Sequence, residues 1–223
     1  MSDKFHKPIF VTGLPRSGTS LVAGLLHACG AWVGNTVLGD AANPRGYFEH
    51  VIVRERIVKQ LLSRVNCDPM GVNPLSPLDL SLRVSNLEKV LGAVLAREDY
   101  NANMPWLYKD AKLTLVWPAF AHAFPDATWV IVKRDPQQVI DSCLRTPFMA
   151  QHGADREFWE VFVAQYETRL ASLAQTVERH VMVEPQKLVG GDYSDLKKVL
   201  SLCDLQFRKA AVDEFICNDF WHG

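Results

Sequence analysis

Residues 9–20 read Ile9-Phe10-Val11-Thr12-Gly13-Leu14-Pro15-Arg16-Ser17-Gly18-Thr19-Ser20, and Leu21-Val22-Ala23-Gly24-Leu25-Leu26 follows. The apolar run at 9–11 has the composition of a buried parallel strand. Gly13 and Gly18 bound a tight loop, and Thr19 and Ser20 open an amphipathic helix. A strand, a glycine-bounded loop and a helix N-terminus together make an anion cradle. Backbone N–H groups converge on one point and the helix dipole favours negative charge there. The expected ligand is a phosphate. The spacing Gly13-x-x-x-x-Gly18 is that of the nucleotide-binding P-loop, except that Thr19 stands where that loop carries lysine. The cation has moved to Arg16, while the hydroxyls remain. An ordinary glycine-rich turn would share the two glycines; the strand, the spacing and the paired hydroxyls together favour the cradle.

The rest of the composition narrows the field. A chain of 223 residues suits one domain spanning 1–223, with a sizeable core. A formal net charge of −1 argues against a broadly basic nucleic-acid binder, though not against a local basic pocket. Cys29, Cys67, Cys143, Cys203 and Cys217 are scattered, with no C-x-x-C pair. Reduced thiols in a cytoplasmic protein are therefore expected, not a disulfide framework or a zinc site. The chain starts polar and reaches its first strand by Ile9, so no secretory leader is expected. No apolar run approaches the length of a membrane span.

Strands and helices alternate along the chain. The first helix spans about Gly18 to Cys29. A loop through Gly39, Asn43, Pro44 and Gly46 leads to Tyr47-Phe48-Glu49-His50, which stands near the start of a helix carrying Val51, Ile52, Ile57, Val58, Leu61 and Leu62. Pro69, Pro74 and Pro77 mark an irregular loop, and Leu87, Val90, Leu91, Val94 and Leu95 a further helix. A short strand is predicted over 104–108, ending in Lys109-Asp110. The helix after it contains Pro118, which kinks or shortens it. Thr128-Trp129-Val130-Ile131-Val132 is a clear strand, ending in Lys133-Arg134-Asp135-Pro136; Asp135 is suited to cap the next helix and Pro136 to open it. Residues 147–155 read as a polar loop, 158–177 as a long helix, 181–183 as a fourth strand and 196–202 as a later helix. This order predicts an α/β fold: a P-loop NTPase-like three-layer sandwich, with a central parallel sheet flanked by helices.

The strand ending in Lys133 and Arg134 forms a second constellation. A magnesium-dependent P-loop enzyme places an acidic residue at such a strand end. A cation there suits another phosphate better. Ser142 lies two helical turns beyond the strand, so its hydroxyl can face the same ligand. A solvated Lys-Arg pair with an unrelated serine is the plain alternative.

Taken together, these residues resemble the sulfotransferases that use 3′-phosphoadenosine 5′-phosphosulfate (PAPS), the bacterial and tyrosylprotein-type branch in particular. The resemblance rests on Gly13-Leu14-Pro15-Arg16-Ser17-Gly18-Thr19-Ser20, on Asn43-Pro44-x-Gly46-Tyr47-Phe48-Glu49, on Lys109-Asp110 and on the Arg134/Ser142 spacing. It covers residues 8 to 146; the C-terminal third shows only generic patterns. It implies that the loop, Pro15 to Ser20, holds the 5′-phosphosulfate. It implies that Arg134 and Ser142 hold the 3′-phosphate, and that a lysine equivalent to Lys109 contacts the sulfonate. Ala111 departs from the Lys-Asp-Pro of the tyrosylprotein enzymes. The implied co-product is adenosine 3′,5′-bisphosphate (PAP), with no metal expected.

Sulfonyl transfer is in-line displacement at sulfur by a hydroxyl. It needs a base, cationic help at the SO₃ group and a cradle that holds the donor. Arg16 and Lys109 are the candidate cations. Glu49 is the candidate base on the strength of the resemblance, with a helix-cap carboxylate as its idle alternative. His50 is the neighbouring rival, since cytosolic sulfotransferases use a histidine base. His122 and His152 lack partners at metal-ligand spacing. Irregular loops at 67–82 and 147–156 are placed over the acceptor side as lids or specificity elements, with Met70, Pro74, Leu75, Phe148 and Met149 either lining a pocket or packing on the core. The acceptor class stays open among carbohydrates, lipids, small alcohols or phenols and peptide tyrosine, as does the oligomeric state. Two other functions share the cradle. One is a small-molecule or nucleotide kinase with Asp110 as its metal-holding carboxylate; the other is a non-catalytic adenosine-bisphosphate-binding module.

Overall fold

The computed structural model describes residues 7–40, 43–100, 102–153 and 155–216. Strand β1, Ile9–Gly13, is buried along its whole length. It lies inside a four-stranded parallel sheet of order β2-β1-β3-β4, completed by β2 (Leu107–Lys109), β3 (Thr128–Val132) and β4 (His180–Val183). The register sets Val11 opposite both Lys109 and Val130, and Gly13 opposite Val132. The Gly-bounded loop, Lys109 and the residues after Val132 therefore emerge at one edge of the sheet. That is the edge where parallel α/β sheets bind ligands.

Helix α1 (Thr19–Ala28) follows the loop. A second helical stretch begins at residue 51, passes through a π-helical turn, Val53–Val58, and continues as α2, Lys59–Arg64. Helix α3 is Leu87–Ala96, and α4, Leu113–Ala123, follows β2. After β3 come α5 (Pro136–Arg145), α6 (Pro147–Ala150) and α7 (Arg156–Thr176). Beyond β4 lie α8 (Pro185–Val189), α9 (Ser194–Leu202) and α10 (Lys209–Phe215).

Side-chain alternation along the strands builds a core on each face. Phe10, Tyr108, Trp129 and Ile131 pack with Leu61, Leu91, Phe120, Ile140 and Tyr166 on one side. Ile9, Val11, Leu107, Val130 and Val132 pack with Leu25, Leu188, Val199 and Val212 on the other. The result is a central parallel sheet between two helical layers, as the alternation of elements predicts. Burying each of these large side chains contributes about 1.5–3 kcal/mol. Phe10 is the aromatic hub: its ring lies 5.0 Å from Trp129 and 5.5 Å from Phe120. At Gly24 any Cβ would run into the Phe215 ring, so α10 packs against the smallest residue of α1.

Three expectations need adjustment, while the kink expected from Pro118 is present. The second strand runs from Leu107 to Lys109 and not over 104–108, because Pro105 has no N–H to give to a ladder. Residues 147–155 are not all loop: Pro147 opens the short helix α6, a position its fixed φ suits. The kink in α4 falls at Val116 (φ −130°, ψ 17°), two residues before Pro118, whose ring crowds the carbonyl four residues earlier. The loop after residue 66 is fastened, not lid-like. The Asp68 carboxylate accepts from the N–H groups of Met70, Val72 and Asn73, while Tyr166 and Arg169 of α7 donate to the carbonyls of Gly71 and Ser76, both at 2.7 Å. Leu75 and Met149 pack on the core, whereas Met70 and Phe148 are exposed. Cys29, Cys67, Cys143 and Cys203 are buried free thiols; Cys217 lies outside the described residues. Among the described residues no helix is long and apolar enough to cross a membrane.

Candidate active site

The loop after β1 is shaped to receive an anion. Gly18, at φ 94°, caps α1 in the left-handed region, and Arg16, at φ 68°, shares that region. Alternation of this kind turns successive N–H groups toward one concavity. The amides of the first turn of α1 have no intrahelical acceptor. Gly13 is required for space: a Cβ there would lie 2.6 Å from the Val132 carbonyl oxygen and 2.9 Å from Ser17 Oγ. The Ser17 hydroxyl is itself fully buried and has no hydrogen-bond partner among the described residues. Leaving a hydroxyl so costs about 1–3 kcal/mol. A ligand oxygen in the cradle would relieve it.

The base of the loop is tied to the neighbouring strand. Thr12 Oγ1 donates to the Asp110 carbonyl at 3.0 Å and lies 2.8 Å from Thr114 Oγ1, which is 3.3 Å from the Gly13 carbonyl. Loop and Lys109 strand end are thus held in one buried hydroxyl network. On the other side, Ser20 Oγ donates to the Tyr47 carbonyl at 3.4 Å, linking α1 to the segment that carries Glu49.

Arg134 and Ser142 both contact Arg16 of the loop. Arg134 Nη1 donates to the Arg16 carbonyl at 3.1 Å, and Arg134 Nε to Gln138 Oε1 at 3.2 Å. Arg16 Nε donates to Ser142 Oγ at 3.1 Å. Burial first, then the charges of Arg16 and Arg145, push the Arg134 guanidinium below its ordinary pKa. Gathering like charges in a half-buried site raises its affinity for anions. Asp135 caps α5 through the Gln138 N–H, as expected, whereas Lys133 is exposed.

Glu49 and Lys109 also meet. Lys109 Nζ donates to Glu49 Oε1 at 3.0 Å, with Lys109 itself almost fully buried. Two residues that escaped notice in the sequence complete the cluster: Arg54 Nε lies 3.1 Å and Lys112 Nζ 3.8 Å from Glu49 Oε2. Burial pushes the Glu49 carboxyl up, but Lys109, Lys112 and Arg54 together outweigh it and bring it from 4.5 down to about 2. Lys112 is placed by Asp110, whose Oδ1 accepts from the Lys112 N–H at 2.8 Å and lies 2.9 Å from Lys112 Nζ. The signal for Lys112 was an Asp two residues before a Lys at a strand end, the pattern of an Asx turn. For Arg54 there was none, because a π-helical turn lies outside helical periodicity.

The rivals fare differently. His50 is buried, with Nε2 3.3 Å from Glu98 Oε2 and its ring 6.3 Å from Trp32. Burial lowers its pKa despite Glu98. Glu98 also accepts from the Asn35 N–H, so His50 serves a structural cluster beside the segment and not the Lys109 site. Asp110 is fully buried, with Oδ1 on Lys112 and Oδ2 accepting from the Tyr108 hydroxyl at 2.9 Å. Its coordination capacity is spent on protein, which weakens the kinase reading. Among the described residues no group of three or more His, Cys, Asp or Glu is placed to hold a metal ion.

The profile of the sulfotransferase family matches residues 8–208, and the chain belongs to that family. Solved structures agree in fold. The sulfotransferase domain from the curacin biosynthetic pathway aligns with a TM-score of 0.62 and 15% identity, over 99% of this chain and 81% of that one. The sulfotransferase domain of the Synechococcus PCC 7002 olefin synthase gives 0.58 and 16%, over 95% and 78%. A Mycobacterium tuberculosis H37Rv sulfotransferase gives 0.52 and 16%, over 96% and 72%. No curated protein matches.

Proposed function

We propose that this sulfotransferase takes its sulfonyl group from PAPS and passes it to a hydroxyl acceptor by in-line displacement, without a metal. PAPS, once bound, supplies an activated sulfonyl group whose leaving group is PAP. The observations that support a phosphate-rich donor are the Ser17 hydroxyl, without a partner among the described residues, the space kept by Gly13 and the Arg16/Arg134 pair.

In this reading the backbone from Pro15 to Ser20 cradles the 5′-phosphosulfate, with Ser17, Thr19 and Ser20 offering hydroxyls. Arg134 and Ser142 take the 3′-phosphate. The Ser142 hydroxyl accepts from Arg16 in this structure and so keeps its own proton to donate to an anion. Arg16 leaves Ser142 when the donor enters and turns its guanidinium to the transferring group. Lys109 offsets negative charge that builds on the sulfonate and the departing oxygen. Glu49, ionised at neutral pH, accepts the proton of the acceptor hydroxyl.

The single observation that carries this assignment is the Glu49–Lys109 pair, a base and a cation 3.0 Å apart at the ligand-binding edge of the sheet. The test is transfer from ³⁵S-labelled PAPS, in EDTA, to a panel of sugars, lipid head groups, phenols and alcohols, and tyrosyl peptides. Wild-type protein should label one class, and Glu49→Gln should lower that rate at least ~100-fold while PAP still binds. Undiminished transfer by Glu49→Gln would refute the base assignment. PAP binding without transfer to any acceptor would favour a non-catalytic module.

A further inference from the structure

The two oxygens of Glu49 are divided between different cations. Oε1 belongs to Lys109 on β2; Oε2 faces Arg54 from the π-helical turn and, more distantly, Lys112 from the turn before α4. The proposed mechanism asks Lys109 to serve both the base and the sulfonate. If Lys109 swings to the sulfonate, Glu49 loses its closest partner at the moment it must stay ionised and aimed. Of the two cations on the Oε2 side among the described residues, Arg54 is the nearer, at 3.1 Å against 3.8 Å for Lys112, and it is tethered independently of the donor: its Nη1 lies 3.3 Å from Glu55 Oε1, and Glu55 is paired with Lys59. The π-helical turn, a local break usually found at functional sites, is the element that delivers it.

We infer that Arg54 is a positioning residue: it anchors Glu49 by Oε2 while Lys109 is engaged elsewhere, so that Oε1 is the oxygen that takes the acceptor proton. This rests on the reading of Glu49 as base. The charged and titratable groups around the carboxyl are Lys109 and Tyr108 from β2, Asp110 and Lys112 from the following turn, Arg54 and Glu55 from the π-helical turn, and Tyr47 from its own segment. Lys112 is already paired with Asp110 at 2.9 Å, so it cannot replace Arg54 at full strength.

The test reads the carboxyl itself. Protein carrying ¹³C at the glutamate side-chain carboxyl carbon is titrated by NMR over the pH range in which circular dichroism shows it folded; Glu49→Gln identifies the resonance. Lys109→Met stands in for the withdrawn lysine. On that background Arg54→Met should raise the Glu49 midpoint by about one further pH unit, and Arg54→Lys should restore most of it. With PAPS and the acceptor class labelled by wild type, Arg54→Met should lower kcat ~10-fold or more with PAP affinity unchanged. An unmoved midpoint, or a kcat equal to wild type, would overturn the inference. The two failures are separable: transfer surviving in Glu49→Gln removes the base reading, whereas an inactive Glu49→Gln beside an unaffected Arg54→Met removes only the role of Arg54.

Discussion

Arg16 and Ser142, 126 residues apart in the chain, are joined by a 3.1 Å hydrogen bond from guanidinium to hydroxyl. Loop and α5 thereby close on each other at the point where the donor's two phosphate ends are proposed to sit. Replacing the pair with phosphate contacts conserves the hydrogen bonds and adds opposite charge, which raises their strength. Ser142→Ala should therefore weaken PAP binding about tenfold, while the unfolding free energy changes by no more than about 1 kcal/mol. Calorimetry beside urea denaturation checks both; unchanged PAP affinity would remove Ser142 from the donor site.

The Glu49 carboxyl gives a pH signature. Its folded pKa, about 2, lies below the ordinary 4.5, so it contributes stability that is fully present above 4.5 and is lost as pH falls toward 2. The difference in unfolding free energy between wild type and Glu49→Gln should be flat from pH 7 to 5. It should then shrink at lower pH, by up to about 3 kcal/mol. Denaturation curves for the pair at pH 7, 5, 4 and 3 measure it. A difference independent of pH would mean that the carboxyl is not held by its cations.

Gly13→Ala tests the cradle's tight packing. The added carbon meets backbone, the Val132 carbonyl, which cannot yield without shifting β3. The expected cost is about 1–3 kcal/mol, seen as a thermal midpoint several degrees lower, together with weakened PAP binding. An unaltered melt would show that the loop has room to spare.

Asp110→Ala separates the kinase reading from the structural one. With both oxygens engaged by Lys112 and Tyr108, its removal leaves Lys112 buried without its closest carboxylate, with Glu49 at 3.8 Å as the remaining ion-pair partner among the described residues. A loss of about 3–5 kcal/mol is expected, the same with or without magnesium. Stabilisation of the wild type by magnesium and ATP that vanishes in Asp110→Ala would revive metal binding.

Much of this arrangement was readable beforehand, for physical reasons. The strands β1 and β3 carry apolar runs at 9–11 and 129–132 because both faces of the sheet are covered, and Gly13, Gly18 and Arg16 mark a loop whose conformation tolerates few alternatives. Helical spacing after β3 put Ser142 on the side of Arg134, whereas the contact of each with Arg16 of the loop depends on packing between distant segments. Other features depend on contacts distant in sequence or on broken periodicity. The order β2-β1-β3-β4 is set by which strands pair, a non-local matter. Arg54 reaches Glu49 from a π-helical turn, which no 3.6-residue pattern announces, and residues 66–86 are irregular in sequence yet pinned by Tyr166 and Arg169 from α7. His50 and Glu49 are neighbours that serve different clusters, and only the packing of Trp32 and Glu98 decides which one meets Lys109.

The most direct measurement is titration calorimetry with adenosine 3′,5′-bisphosphate in EDTA, repeated with ATP plus magnesium and on Arg134→Ala. The account predicts metal-independent bisphosphate binding that falls roughly 10–100-fold in the variant, with a marked salt dependence. Absent bisphosphate binding, with magnesium-dependent ATP binding in its place, would contradict it.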